Sequence, residues 1–189
     1  MDAQAIIESL KGEVPEGAVE AAPAADGMPA IYVAREHAVA VCTVLRDRPD
    51  LRFALASDMT AVDFHPREPR FEVVLHLASL GVAGFGDAPA RLRVKFRVPG
   101  TDARMPTLSG VWVSMNWAER EVWDMFGVEF DGHPDRRRIL MPEDWDGHPA
   151  RKDYPVQINK PYAKYEPLQV TPEQFVANVR ADREGWDER

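Results

Sequence analysis

The sequence contains a single cysteine, Cys42, and this scarcity limits the chemistry of the chain. A disulfide needs two thiols, so a secreted domain that is held together by disulfides is excluded. An iron–sulfur cluster normally takes about four thiolate ligands, so the chain cannot hold such a cluster alone. Cys42 lies in a segment of helical periodicity, where a cysteine is more commonly a small core residue than a reactive thiol.

Long apolar runs are also missing. The longest one covers residues 38–45, far short of the about 20 residues that a membrane-spanning helix needs. The N-terminal residues lack the basic and apolar regions of a signal peptide. We therefore expect a soluble protein of a reducing compartment.

Basic side chains are fewer than acidic ones. The sequence has 23 Lys and Arg and 31 Asp and Glu, which gives a net charge of −8. Neither half of the chain is a basic patch of the kind that binds phosphate backbones, which argues against nucleic acid and anionic lipid as partners. The glycines of residues 81–86 lack the order of a phosphate-binding loop. The hydrophobic content of 45% suffices for a core.

The hydrophobic periodicity predicts an α+β fold with a small, mostly antiparallel or mixed sheet flanked by helices. Helices are predicted at residues 2–11 and 35–46, a loop at 12–30, and strands at 31–33, 53–64, 71–80 and 91–98. In the last strand apolar residues alternate with Arg91, Arg93, Lys95 and Arg97. This cationic face is either a docking surface or a solvated outer face.

A short helix is predicted at residues 116–127. Asn116 would cap it, with Glu119 reaching back as in a capping box, and Gly127 would end it in the left-handed conformation. Arg120 and Asp124 are four residues apart and would pair on its surface. A helix of this length is not stable alone, so it must pack on other elements.

The tetrapeptide Asp-Gly-His-Pro occurs at residues 131–134 and again at 146–149, which predicts two similar turns. From Tyr154 onward, prolines recur at a spacing that forbids continuous helix and favours an extended arm. A terminal helix is predicted to begin at Thr171. We therefore divide the chain into an α/β core with the short helix, residues 1–130, and irregular turns, arm and terminal helix, residues 131–189.

A metal-dependent enzyme is one interpretation of the polar region 119–153. Its ligands would be Asp131, His133, Asp146 and His148. Neither histidine stands in a metal-binding spacing, and each precedes a proline, which is first of all typical of turns.

Two further interpretations remain for the same region. Acid–base catalysis would use Glu119 or Glu121 with a histidine, although carboxylates beside arginines on a helix more commonly form a structural ion-pair network. The abundance of Trp and Arg instead favours a surface covered by another protein, because these residue types dominate binding hot spots.

Residues 119–135, Glu-Arg-Glu-Val-Trp-Asp-Met-Phe-Gly-Val-Glu-Phe-Asp-Gly-His-Pro-Asp, resemble the signature of the C subunit of proton-pumping NADH:quinone oxidoreductase. This is the 30 kDa subunit family of respiratory complex I. The resemblance continues through residues 137–140 and 147–155 and is strong over 105–155. Arg136 and Ala150 depart from it, since the family tends to have leucine there.

The resemblance implies a non-catalytic subunit of the peripheral arm, on the cytoplasmic side of the cell inner membrane. It would hold no metal, cofactor or redox centre, and FMN and iron–sulfur clusters would lie in partner subunits. Its partners would be the large 49 kDa-type quinone-site subunit and neighbouring iron–sulfur subunits. Equivalent subunits occur in membrane-bound hydrogenases, F420H2 dehydrogenase and the photosynthetic NDH complex, which are the alternatives.

On this interpretation the region from the short helix to the start of the arm forms the partner interface, which supports NADH-to-quinone electron transfer by holding the large subunit. The predicted interface residues are Trp117, Glu119, Arg120, Glu121, Asp124, Phe126, His133, Arg137, Arg138, Trp145, His148, Arg151, Lys152, Asp153 and Tyr154.

Overall fold

Within residues 2–82, 88–155 and 171–187, which the computed structural model describes, five strands form one mixed sheet in the order β1-β2-β5-β4-β3. Strands β3, β4 and β5 pair antiparallel, β2 pairs parallel with β5, and β1 pairs antiparallel with β2. The strands are β1 (Val19–Ala21), β2 (Ala30–Val33), β3 (Leu55–Asp63), β4 (Phe71–Leu80) and β5 (Pro89–Val98). The predicted α+β class with its mixed, mostly antiparallel sheet is confirmed.

The helices lie close to their predicted places. They are α1 (Ala3–Leu10), α2 (Ala38–Asp47) after a 3-10 turn at Arg35–His37, α3 (Met115–Phe126) and α4 (Pro172–Asp187). Two short strands, β6 (Arg104–Pro106) and β7 (Glu129–Asp131), form a small parallel sheet on either side of α3 in sequence. None of the described helices combines the length and hydropathy of a membrane-spanning segment.

One face of the sheet forms the hydrophobic core. Along β5, the apolar residues from Leu92 to Val98 are fully buried and lie in register with the buried apolar residues of β4 from Leu77 to Phe71. Side chains from α1, α2 and α3 join the same cluster, namely Ile6, Leu10, Val41, Cys42, Leu45, Met115 and Val122. Cys42 is therefore a core residue, and burial raises the pKa of its thiol.

The cationic residues of β5 lie on the opposite face, and three of the four, Arg93, Lys95 and Arg97, pair with carboxylates of the same chain. The distances between the charged groups are 2.7 Å for Arg93–Asp26, 2.9 Å for Lys95–Glu72 and 2.6 Å for Arg97–Glu20. These pairs neutralise most of the positive charge that the sequence pattern displays. They favour the interpretation as an ion-paired outer face over that of a docking surface.

Two features differ from the prediction. The segment 12–30 contains β1, because Val19–Ala21 pairs with β2. The chain divides into two compact units at Met1–Pro155 and Val156–Arg189 rather than after residue 130, since residues 133–154 bond to α3 and to the end of β3. The predicted arm largely falls at residues 156–170, outside the described residues. The terminal helix begins as predicted, with Thr171 accepting from the Gln174 N–H at 3.3 Å.

Candidate functional site

The first turn of α3 is fixed by contacts that its local sequence does not display. The hydroxyl of Ser114, at the cap position, donates to the carbonyl of Ala56 at 3.1 Å and does not cap the helix. The predicted capping by Asn116 with Glu119 is wrong, because the carboxyl of Glu119 turns into the interior. There it accepts hydrogen bonds from the Leu108 N–H at 2.6 Å and from the Thr107 hydroxyl at 2.5 Å.

Asp124 holds the start of the segment that follows β7. Its fully buried carboxylate accepts from the guanidinium of Arg138 at 2.5 Å. Its other oxygen accepts three backbone N–H groups, those of Ile139, Leu140 and Met141, at 3.1, 2.8 and 2.9 Å. Burial alone would raise the pKa of Asp124, but these hydrogen bonds outweigh it and hold the pKa below its usual value.

Arg120 also binds this segment and does not pair with Asp124, so the predicted pair is wrong. Its guanidinium donates to the carbonyls of Arg137 and Arg138, both at 2.9 Å, and lies 3.5 Å from the carboxylate of Asp135. The side chain is only 12% exposed. The partners of Arg120 therefore belong to a segment distant in sequence, and not to the helix position that its local spacing predicted.

The C-terminal end of α3 is capped by the second Asp-Gly-His-Pro segment. Helix C-termini leave carbonyls without intrahelical partners, and here the His148 ring nitrogen, the Ala150 N–H and the Arg151 guanidinium bind them. Gly127 ends the helix at φ 72°, as predicted. A Cβ at Gly127 would meet the side chains of Arg151 and His148, the latter at 2.5 Å, so this close approach requires glycine as much as the backbone angle does.

The first Asp-Gly-His-Pro segment contacts the other end of the same helix. His133 Nε2 lies 3.0 Å from the carbonyl of Asn116, whereas His148 binds the carbonyl of Asp124. These two carbonyls are separated by about 12 Å along the axis at the rise of an α-helix. The two turns thus contact α3 at opposite ends, so their histidines do not converge on one metal ion. Among the described residues, no group of three His, Cys, Asp or Glu side chains has metal-binding geometry.

The segment 148–154 is also fastened to the sheet. Arg70, at the start of β4, pairs with Asp63 at 2.8 Å and with Asp153 at 2.6 Å. The Lys152 N–H donates to the Asp63 carboxylate at 2.8 Å. Burial alone would raise the pKa of Asp63, but the Arg70 guanidinium and the Lys152 N–H help to keep this pKa well below its usual value.

The predicted interface residues therefore fall into three groups by exposure. Glu119 and Asp124 are fully buried and serve this chain internally. Those that are partly buried are Arg120, Phe126, His133, Arg138, Trp145, His148, Arg151 and Tyr154. Those that are exposed are Trp117, Glu121, Arg137, Lys152 and Asp153. The first group can support a partner surface only from beneath.

Large apolar side chains are exposed around α3. Trp117 is 66% exposed, Val113 before the helix is 86% exposed, and Leu140, beside the Asp124 anchor, is 58% exposed. Val113 and Leu140 are absent from the predicted interface, because their segments carry no periodicity that would reveal an outward direction. Exposed apolar groups on an ordered framework are typical of surfaces that another protein covers.

A cavity of about 150 Å³ lies beside α3, between the helix, β7 and the first turn. Its walls comprise Glu119, Arg120, Trp123, Glu129, Phe130, His133, Asp135 and Arg136. Burial raises the pKa of Glu119 to about 7. The cavity thus combines two aromatic walls with a carboxyl group that titrates near neutral pH.

Comparison with known sequences gives a consistent result. The family model described as the 30 kDa subunit of respiratory-chain NADH dehydrogenase matches residues 31–160. The C 2 subunit of the NADH-quinone oxidoreductase of Rhizobium meliloti is 46% identical over 75% of this chain and 74% of its own length. The C subunit of the Roseiflexus sp. oxidoreductase is 41% identical over 82% and 86%, respectively. The C/D subunit of the Methylococcus capsulatus oxidoreductase is 41% identical over 72% of this chain and 23% of its own length.

Two solved structures are similar to the chain. The trypsin-resistant fragment (1-134) of Nqo5 has a TM-score of 0.52 and 31% identity, and the match covers 71% of this chain and 99% of the fragment. The second is a chain of the membrane-bound sulfane sulfur reductase, an archaeal respiratory membrane complex. It matches with a TM-score of 0.65 and 24% identity over 81% of this chain and 85% of that one, which shows a shared fold.

Proposed function

We propose, given that this chain belongs to the 30 kDa subunit family of respiratory-chain NADH dehydrogenases, that it is a docking subunit of an NADH-quinone oxidoreductase. It would hold the large 49 kDa-type quinone-site subunit in place and contribute no redox centre. FMN and the iron–sulfur clusters would lie in neighbouring subunits. The relatives at 41–46% identity are themselves subunits of this oxidoreductase.

The observation that carries the proposal is that Trp117 is exposed on α3, a helix whose two ends are bound by other segments of this chain. Both turns and the anchors at Asp124 and Asp63 fix the irregular segment 131–155 around α3. An irregular segment held this firmly can present a rigid surface, which lowers the entropic cost of association. Tryptophan and arginine at such a surface supply the binding energy that a docking subunit needs.

The choice of the large subunit as partner is supported by the C/D relative from Methylococcus capsulatus. This chain corresponds to less than a quarter of that protein, whose name joins a C part to a D part. Parts that are fused in one protein are expected to be neighbours where they are separate. We propose the large subunit as the neighbour that corresponds to the D part.

The position within the cell follows from the same proposal. The chain would attach to the cytoplasmic face of the membrane through the complex alone. The family model, described as the 30 kDa subunit of respiratory-chain NADH dehydrogenase, supports an assignment to a multisubunit respiratory complex. The related complexes with other electron donors are the second candidate, favoured only by the fold shared with the sulfane sulfur reductase complex.

Co-expression of the tagged chain with the large subunit tests the proposal. We expect the two to co-purify as a stoichiometric pair, and we expect the chain alone to show neither visible absorbance nor bound metal by elemental analysis. A folded chain without affinity for the large subunit would contradict docking. Stoichiometric zinc or iron that is lost in His133→Ala would instead support the metal-dependent enzyme.

A further inference from the structure

The helix α4 carries exposed apolar side chains on one side. All of its described side chains, from Pro172 to Arg180, are exposed. Phe175 is 63% exposed, Val176 46% and Val179 39%. The positions of these three residues, i, i+1 and i+4, place them on one side of a helix, where they form what we call the α4 stripe. A helix with such a stripe is typically packed against another surface.

The length of α4 makes this packing necessary. The helix spans 16 residues, Pro172–Asp187, and isolated helices of about 15 residues are marginal in water even when they are rich in alanine. Its start is capped, because the Thr171 N–H donates to the side chain of Gln174 at 3.0 Å and the Gln174 N–H donates back to the Thr171 hydroxyl. Most helical stability in proteins nevertheless comes from the packing of an apolar face. We therefore expect a partner to bury the α4 stripe.

The charge of this segment favours a protein over a lipid surface as that partner. Residues 172–189 contain five acidic and three basic residues, a net charge of −2. Helices that lie on membranes are rich in lysine and arginine on their polar face, and the cytoplasmic leaflet is anionic. An acidic helix is repelled by such a leaflet, whereas an apolar groove on a protein accepts an amphipathic helix of either charge.

The length of chain before α4 limits which protein it can reach. Residues 156–170 are 15 residues long, so they span at most about 55 Å when fully extended. The chain enters this stretch from a fixed position, because Asp153 pairs with Arg70 at 2.6 Å and Arg151 binds the C-terminal end of α3. The proposed docking surface surrounds the same helix. A protein that covers this surface therefore lies within reach of α4.

We propose that α4 is a second docking element, whose stripe of Phe175, Val176 and Val179 enters an apolar groove of the large subunit. The proposal rests on the proposed docking function and adds a second point of contact to the surface around α3. A short connection between two contacts gives the second one an effective concentration on the order of 1 mM, so the pair binds more tightly than either contact alone. The helix lies outside residues 31–160, which the family model matches.

Hydrogen–deuterium exchange with mass spectrometry tests whether the large subunit covers α4. In the full-length chain alone, we expect the amides of residues 172–180 to exchange within about a factor of ten of the rate of an unfolded peptide. The purified large subunit should slow this exchange at least about tenfold, because a packed helix opens less often. If these amides stay unprotected in a complex that does form, the proposal is overturned and docking through α3 is unaffected.

The same measurement identifies any other surface that covers the stripe. Protection that grows with the concentration of the chain alone would assign the stripe to a second copy. Protection of the chain alone at every concentration would mean that this chain covers the stripe itself. Protection by vesicles of phosphatidylethanolamine and phosphatidylglycerol would assign it to lipid. Each of these three results would overturn the proposal, and we expect none of them.

Substitutions in the full-length chain test what the stripe contributes to affinity. Phe175→Ser removes its largest side chain, and we expect the dissociation constant for the large subunit to rise about tenfold. Ala177→Ser introduces the same residue on the opposite side of α4 and is the matched control, which should bind as the unchanged chain does. Neither variant should change the thermal midpoint of the core, because α4 belongs to the other compact unit.

The outcomes of the binding experiment separate this proposal from the docking function. If Phe175→Ser and the unchanged chain bind the large subunit equally well, α4 is not a docking element, although docking itself stands. Equal weakening by Phe175→Ser and Ala177→Ser would also overturn the proposal, because the effect would then not belong to the stripe. If the unchanged chain does not bind the large subunit at all, the docking function is refuted and this second contact with it.

Discussion

The guanidinium of Arg138 donates to the carboxylate of Asp124 at 2.5 Å, across 14 residues of sequence. The same carboxylate accepts the backbone N–H groups of the three residues that follow Arg138. One buried side chain of α3 thereby fixes the course of a segment without helix or strand. The exposed Leu140 lies in that segment, so the proposed docking surface depends on this buried contact.

Replacing Asp124 tests how much the segment depends on it. Asp124→Asn leaves the Arg138 guanidinium without its carboxylate and weakens three backbone hydrogen bonds, so we expect the free energy of unfolding to fall by about 3 kcal/mol. Urea denaturation of the free chain measures the change. Glu121→Gln, an exposed position on the same helix, is the matched control and should change stability by less than about 0.5 kcal/mol. Equal effects of the two variants would contradict the role of Asp124.

Gly127 and Gly132 separate backbone strain from steric conflict. Both have positive φ, 72° and 81°, but a Cβ at Gly132 would meet only the Thr107 methyl group at 3.5 Å, whereas one at Gly127 would collide with His148 and Arg151. We expect Gly132→Ala to cost about 1 kcal/mol and Gly127→Ala at least about 2 kcal/mol more. Amide hydrogen exchange at Ala150, which donates to Met125, should accelerate only in Gly127→Ala. If the Ala150 amide stays equally protected in Gly127→Ala, the second Asp-Gly-His-Pro turn does not depend on the close approach of His148 and Arg151 to Gly127.

Glu119 should make the free chain less stable as the pH rises. Its folded-state pKa of about 7 exceeds the value of about 4.3 in an unfolded chain, so between these values the folded state binds the extra proton. The free energy of unfolding therefore loses a contribution from about pH 4.3 upward, and the loss is complete above pH 7, where it reaches about 4 kcal/mol. Glu119→Gln should lack this loss and be more stable than the unchanged chain at pH 8. Parallel stability curves from pH 5 to pH 8 would refute the raised pKa.

Trypsin should distinguish the free chain from the assembled one. Residues beyond Pro155 belong to a separate unit, and the side chains of α4 described, up to residue 180, are exposed. We predict that the free chain is cut first after Lys152 or beyond it, and that the large subunit protects these sites. Mass spectrometry of the fragments identifies the cuts. Early cleavage within residues 2–150 would contradict this expectation.

The secondary structure of this chain is largely readable from local patterns. The alternation in β5 reflects one buried and one polar face, and Gly127 ends α3 because only glycine adopts its backbone conformation without strain. The helical spacing also located α3 to within one residue at each end. Such features depend on neighbours in sequence, which periodicity captures.

The partners of the polar side chains could not be predicted in the same way. Arg120 and Asp124 have the spacing of a surface pair, yet each binds a segment 14 to 18 residues further along the chain, beyond any helical register. The repeated tetrapeptide correctly indicated two similar turns, but their positions at opposite ends of α3 depend on the path of the chain between them. Sequence spacing finds local pairs, whereas these contacts arise only from tertiary packing.

The affinity of the purified chain for the large subunit, compared between the unchanged protein and Trp117→Ala, tests the docking role most directly. Trp117 is exposed and contributes little to the core, so the thermal midpoint should stay the same while the dissociation constant rises at least about tenfold. Leu80→Ala, an exposed apolar position at the end of β4, should change neither quantity. If Trp117→Ala binds as tightly as the unchanged chain, α3 is not the surface by which this protein docks.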